Sequence, residues 1–108
     1  MKQEEFEKIV NEQIDYCKTL LFSKGEEYKI KDNDRLEYFK IASKVTKESA
    51  KQSLAGMMVK HTISIYSMCN DNKEYSIEKW TEKITDHINY LLLLKALIIE
   101  EGEKNEKY

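Results

Sequence analysis

Several small groups of side chains in this sequence have the types and spacing that binding or catalysis would require. The largest group lies in the last apolar stretch and consists of Glu82, Asp86, Asn89 and Tyr90. Spacings of three and four residues make such side chains neighbours on one helical face. Carboxylates four residues apart, such as Glu82 and Asp86, repel each other unless a cation lies between them. That cation would be a bound metal ion or a basic side chain; a plain solvated face is the alternative.

Two further groups place cations where an anion could be held. Lys60 and His61 are adjacent in a helical pattern, where His61 would be either a hydrogen-bonded core residue or part of a site. Arg35 follows Asp34, a residue type that is typical of helix N-caps. A cation in the first turn opposes the helix dipole. Arg35 therefore indicates contact with an anion such as phosphate, which suits a guanidinium group.

A fourth group follows Gly25 in a polar stretch, residues 25–33, which we expect to be the longest loop. Its members are Glu26, Glu27 and Tyr28. Loops on a helical scaffold often carry binding groups. The carboxylates could hold a metal ion and the tyrosine ring could meet a base, although a solvated turn is the simpler interpretation.

Apolar residues at helical spacing predict the elements that must position these groups. The sequence predicts four helices, over residues 2–23, 34–45, 47–70 and 76–101, and no strands. The expected N-caps are Asp34 with Glu37 in a capping box, Thr46, and Ser76 with Tyr75 packing on Trp80. The predicted fold class is all-α, an antiparallel four-helix bundle. Residues 1–103 would form a single helical domain and residues 104–108 a flexible C-terminal tail.

Composition limits the partners and the surroundings. The formal net charge of −2 gives no overall attraction to nucleic acid. The apolar run from Leu91 to Leu94 is too short for a membrane span. Cys17 and Cys69 do not form a C-x-x-C pair, and buried thiols in a reducing cytoplasm are the simplest expectation. From Ile88 onward the last helix is apolar almost all round, which predicts a homo-oligomer.

Four segments from Lys24 to Glu101 carry a resemblance to a known family. Read in order, KGEEY, DRLEYFKIAS, SLAGMMVKHTISIYSM and WTEKITDHINYLLLLKALI resemble phage branches of the MazG-like, all-α nucleotide pyrophosphohydrolase superfamily. The resemblance implies magnesium held by an ExxE pair and an ExxD pair on consecutive helices. Asp86 matches the aspartate, but Lys83 stands where the paired glutamate belongs. The stretch from Leu54 to Asn70 contains no acidic residue.

This departure favours a nucleotide-binding protein over an enzyme. A lysine in place of a carboxylate inverts the local charge, so phosphate could be bound without metal. Lys60, Arg35 and Lys83 would meet phosphate, with His61 beside them; Tyr28 or Tyr90 would stack on a base or ribose. Asp86 and Asn89 would fix hydroxyl groups or orient a lysine. No cofactor is expected, and the role implied is that of a phage protein in the host cytoplasm that sequesters a defence messenger or shapes the nucleotide pool.

Two alternatives stay open at the level of sequence. The first is a magnesium-dependent nucleotide pyrophosphohydrolase with rearranged ligands, in which His61 would serve as base and the metal ligands would be Glu26, Glu27, Glu82 and Asp86. The second is a protein-binding inhibitor of a host factor, for which no residue signature is found.

Overall fold

Four α-helices make up the described part of the chain. The computed structural model describes residues 1–27 and 34–106, and the side chains of residues 1–23 and 34–103. The helices are α1 (Gln3–Glu27), α2 (Glu37–Thr46), α3 (Ala50–Asn70) and α4 (Ile77–Glu106). No strand occurs within those two ranges. The predicted all-α helical bundle is confirmed at this level.

Both long outer helices extend further than the sequence indicated. The prediction that the first helix ends at residue 23 is wrong, because α1 continues through Gly25 to Glu27. Residues 25–27 of the predicted loop are therefore helical, and residues 28–33 lie outside the described residues. A glycine inside a helix costs about 1 kcal/mol relative to alanine, which is too little to end a well-formed helix. At the other end, α4 runs past Glu101 to Glu106. The flexibility of residues 104–108 stays a prediction, since residues 107 and 108 and the side chains of 104–106 are not described.

The start of α4 follows the prediction closely. The Ser76 hydroxyl oxygen accepts a hydrogen bond from the Lys79 backbone N–H at 3.1 Å, which is the contact of an N-cap. The rings of Tyr75 and Trp80 meet edge to face with centroids 5.9 Å apart. The predicted hydrophobic contact in front of α4 is therefore confirmed.

The predicted N-cap of α3 is wrong by three residues. Thr46 belongs to the last turn of α2, where its hydroxyl donates to the Ala42 carbonyl at 3.0 Å. Lys47 then adopts a left-handed conformation with φ 58°, which ends the helix. Ser49 caps α3 instead, and forms a reciprocal capping box with Gln52. The S-x-x-Q spacing was the sequence signal for this box.

The antiparallel arrangement predicted for the whole bundle is wrong for α1 and α4, which run parallel. Gln13 Nε2 donates to Thr85 Oγ1 at 2.7 Å. One turn further along both helices, Asn89 Nδ2 donates to the Cys17 carbonyl at 3.4 Å. Both pairs are separated by the same 72 residues, so the two chains advance in the same direction.

The reason lies in the short length of α2. Its 10 residues span only about 15 Å, so it remains at one end of the bundle. Only α3 carries the chain back: Lys51 pairs with Glu101 at 3.6 Å, and Thr62 meets His87 at 3.0 Å, which makes α3 antiparallel to α4. The long helix α3 is the one element between α1 and α4 that reverses the course of the chain over the length of the bundle. The turn after α3 reverses it again, so α4 runs parallel to α1.

The main core lies where α2, α3 and the C-terminal half of α4 meet. Its buried members are Leu36, Phe39, Leu54 and Leu97. At the edge of this core, Lys40 forms ion pairs with two carboxylates. Its Nζ lies 2.6 Å from Asp34 and 2.5 Å from Glu100. Cys17 is buried as predicted. Cys69 is exposed, contrary to prediction. Its neighbour Met68 is buried, so Cys69 lies on another side of α3.

Candidate functional site

A cavity of about 180 Å³ opens where α1, the turn before α2, α2 and α4 approach one another. Its walls are mostly apolar, with a few polar groups and one side chain of each charge sign. The lining residues are Leu20, Leu21, Arg35, Tyr38, Phe39, Asp86, Asn89, Tyr90 and Leu93. Apolar walls with a small number of oriented polar groups are typical of small-molecule sites. The parallel course of α1 and α4 brings Leu20 and Leu21 beside Asn89.

The size of the cavity decides how much of a ligand it can enclose. An engineered cavity of about 150 Å³ accepts one benzene molecule, whereas drug-sized ligands occupy about 300 Å³ or more. The cavity therefore accommodates one planar ring or one sugar ring. A larger molecule would extend from it over the neighbouring surface.

Asn89 is the most deeply placed polar group of the cavity. Asn89 is only 7% exposed. Its Nδ2 donates to the Cys17 carbonyl at 3.4 Å, and this bond fixes which side of the amide faces α1. Its Oδ1 is buried and has no hydrogen-bond partner among the described residues. A buried acceptor without a partner costs about 1–3 kcal/mol.

The turn before α2 positions Arg35 at the cavity. Asp34 Oδ1 accepts a hydrogen bond from the Leu36 backbone N–H at 3.0 Å. Arg35 Nη2 donates to the Leu21 carbonyl at 3.4 Å, which holds the guanidinium group between α1 and α2. Asp34 thus orders the turn, but the predicted capping box is wrong. Leu36 occupies the N-cap position without a side-chain cap bond, and Glu37 Oε2 is buried without a partner in the described structure.

Tyr90 links the cavity to His61 on α3. The two rings lie 4.9 Å apart between centroids, at 35° to each other. Burial lowers the pKa of His61 below its ordinary value of 6.5, and the charges of Lys83 and Lys60 lower it further. The negative charge of Asp86 acts in the opposite direction and raises this pKa. His61 is therefore held mainly neutral at physiological pH.

The structure brings together residues that are far apart in the sequence. Four of the predicted binding residues line the cavity: Arg35, Asp86, Asn89 and Tyr90. His61 lies behind Tyr90, on the side of α4 that faces α3. Lys60 is exposed and Lys83 is half-buried, and both lie close enough to His61 to affect its titration. Neither lysine is part of the described cavity wall. Tyr28 lies outside the described residues.

The metal ligands of the hydrolase alternative do not form a cage in the described structure. Glu82 is exposed and does not line the cavity that contains Asp86. The side chains of Glu26 and Glu27 are outside the description. Within residues 1–23 and 34–103, no group of three or more His, Cys, Asp or Glu side chains is arranged to hold a metal ion. A hard cation requires several oxygen ligands together, so the described residues do not fit one.

Sequence reasoning missed part of the cavity wall. Tyr38 was not recognised, although in the predicted helix over residues 34–45 it would lie three residues after Arg35, on the same side. Leu93 could not be separated from the other leucines of the run from Leu91 to Leu94. The buried pair of Gln13 and Thr85, which joins α1 to α4, gave no signal either, because it depends on the parallel packing of two helices.

Comparison with known proteins gives no family or function for this chain. No family model, curated protein or solved structure matches this chain. None of the helices in the described ranges combines the length and apolar character needed to cross a membrane.

Proposed function

We propose that this protein binds a nucleotide or a nucleotide-derived signalling molecule without hydrolysing it. One observation supports the proposal above all others. Arg35, Asp86, Asn89 and Tyr90, which were selected from the sequence for nucleotide binding, line the same cavity although they come from two distant segments. The MazG-like resemblance of the sequence points to the same class of ligand.

The cavity suits one ring of such a ligand. Its volume of about 180 Å³ fits a base or a ribose but not a complete nucleotide. Tyr38 and Tyr90 offer aromatic surface for stacking, and the Asn89 amide adds a polar group to the same wall. Asp86 offers further acceptors at the same wall.

The phosphate groups would lie at the margin of the cavity. Arg35 supplies a cation at the wall, and guanidinium binds phosphate through two parallel hydrogen bonds. Lys60 and Lys83, near His61, offer additional positive charge for a phosphate chain that extends past Tyr90. This arrangement needs no cofactor. In this proposal, Lys83 replaces a metal-binding glutamate of the MazG-like pattern, so the site binds phosphate directly and does not cleave it.

The role in the cell follows from the resemblance alone. Sequestration of a host defence messenger by a phage protein, or control of a nucleotide pool, are the two uses that we propose. The protein would act in the host cytoplasm and as a homo-oligomer, since many apolar side chains of α4 stay exposed in a single chain.

A panel of nucleosides, nucleotides and cyclic dinucleotides, each with and without magnesium, tests this proposal. We expect a rise in melting temperature with at least one phosphorylated compound, independent of magnesium, and recovery of that compound unchanged by chromatography. Arg35→Gln should weaken the binding measured by calorimetry at least about tenfold. The matched control is Lys44→Gln, which removes an exposed cation from α2 away from the cavity and should bind normally.

Other outcomes would contradict the proposal in distinct ways. Release of pyrophosphate that is lost in Asp86→Ala would establish the hydrolase alternative. Absence of any shift across the panel, together with a stoichiometric complex with a purified host protein, would establish the inhibitor alternative. Equal affinity of Arg35→Gln and Lys44→Gln for the bound compound would place the ligand elsewhere on the protein.

A further inference from the structure

One side of α4 carries a mainly apolar surface that the described part of the chain leaves largely exposed. We call this surface the outer face of α4; it consists of the exposed Ile84, Leu91, Leu92, Ile98 and Ile99, the half-buried Ile88, and Lys95 among them. Exposure reaches 49% at Leu91 and 52% at Ile99, whereas Leu97, which points to the core, is 1% exposed. At 100° per residue, the outer face lies opposite the cavity residues Asp86, Asn89 and Tyr90.

The spacing on the outer face is that of a helix that packs along another helix. Ile84, Ile88, Leu91, Lys95 and Ile98 follow one another at alternating intervals of four and three residues. This is the heptad pattern of helices that pair side by side over several turns. The pattern belongs to the exposed side of α4, so its partner is not one of the helices already packed on α4.

The accessible surface of the chain is larger than that of a compact monomer of the same mass. The chain exposes 8408 Å², about 2,100 Å² more than a compact monomer of its mass would expose. Its radius of gyration is 16.4 Å, against about 13 Å for a compact domain of this length. A standard stable interface needs only about 800 Å² from each partner. The excess belongs to the whole chain, and α1 contributes to it through exposed residues such as Phe6 and Ile9. The outer face of α4 supplies the part that a second copy would cover.

We propose that two copies of this chain pair through the outer faces of α4, antiparallel, with the twofold axis close to Leu91. An identical chain offers the same apolar face over the same length, so each copy covers the other. The charge of Lys95 selects the direction. Parallel pairing in register would stack Lys95 on its own copy inside an apolar contact, which costs energy. Antiparallel pairing separates the two lysines by about 12 Å along the helix axis, so each aliphatic stem lies on the opposite face while its ammonium group reaches water at the edge of the contact.

The oligomeric state is the first test. We expect light scattering and sedimentation to give a dimer across the micromolar range. Leu91→Lys should raise the dimer dissociation constant at least about tenfold, because the substitution enters the contact twice at the axis. The matched control is Ile63→Lys, which replaces an apolar residue of α3 that is 58% exposed and lies off the outer face. Circular dichroism must show unchanged helicity in both variants, and Ile98→Lys serves as a second disruptive variant.

Disulfide trapping tests the direction of pairing. In a Cys69→Ser background, Leu91→Cys should form covalent dimers under mild oxidation. Ile84→Cys alone and Ile98→Cys alone should not, since seven residues from the axis puts like positions about 21 Å apart, far beyond disulfide reach. An equimolar mixture of the Ile84→Cys and Ile98→Cys proteins should form the mixed dimer.

These results also separate the interface from the ligand site. Leu91→Lys leaves every cavity residue intact, so its effect on the oligomeric state does not depend on the proposed nucleotide. A monomeric wild-type protein, or a dimer that Leu91→Lys leaves unchanged, would overturn the proposed contact. Efficient self-linking of both Ile84→Cys and Ile98→Cys would overturn the antiparallel direction.

Discussion

Replacement of Asn89 by leucine should make the protein more stable while it weakens ligand binding. Asn89 is 7% exposed, and its buried Oδ1 has no partner in the described structure. Removal of this acceptor should recover about 1–3 kcal/mol of free energy of unfolding. The lost hydrogen bond to the Cys17 carbonyl is long, at 3.4 Å, and should cost less than about 1 kcal/mol. Cavity space beside the residue accommodates the leucine side chain.

The net expectation for Asn89→Leu is a gain of about 1 kcal/mol, or about 4 °C in melting temperature. Urea unfolding at fixed protein concentration measures the first quantity and calorimetry the second. Affinity for the nucleotide found in the panel should fall at least about fivefold, because the leucine side chain would occupy cavity space and remove a polar group from the cavity wall. Such a combination is expected where a polar group is kept for binding at the expense of stability.

Thr85→Val is the matched control for this reasoning. Thr85 is 1% exposed, lies one turn before Asn89 on the same helix, and accepts a hydrogen bond from Gln13 at 2.7 Å. Its partner would be left unsatisfied, so this variant should lose about 1 kcal/mol. If Asn89→Leu destabilised the protein as much as Thr85→Val does, the account of the unpartnered acceptor would be refuted.

Three further variants test other parts of the structure. Burial lowers the pKa of His61, so the contribution of the neutral imidazole to stability is complete above the ordinary histidine pKa of about 6.5 and is lost as the pH falls toward the lowered pKa. His61→Gln should therefore flatten the dependence of the urea midpoint on pH below about 6.5. An unchanged slope would contradict this. Gly56→Ala should raise the free energy of unfolding by about 0.5–1 kcal/mol, since an added Cβ meets nothing within 4 Å; a lower urea midpoint would refute it. Lys40→Met should lower the free energy of unfolding by about 1–2 kcal/mol, because it leaves the carboxylates of Asp34 and Glu100 without the cation between them. The two carboxylates raise the pKa of Lys40. Above that raised pKa the wild-type side chain is neutral, so the difference in free energy of unfolding between wild type and Lys40→Met should become smaller. A difference that stayed the same would assign the effect to packing.

Local interactions explain what the sequence determined about this protein. The helical identity of all four elements follows from apolar spacing. The Ser76 cap and the contact of Tyr75 with Trp80 depend on residues only three to five positions apart. The failures at this level were also local: Gly25 was too weak a signal to end α1, and Ser49 with Gln52 outcompeted Thr46 as the cap of α3.

Tertiary packing decided the rest, because it joins residues that no spacing rule relates. The parallel direction of α1 and α4 follows from the shortness of α2, and only that direction places Cys17 and Leu21 along Asn89 and Arg35. The sequence marked Asn89 as one of several polar residues on α4. Packing buried its Oδ1 without a partner among the described residues, since burial and hydrogen bonding depend on what the neighbouring helices bring to the same point in space.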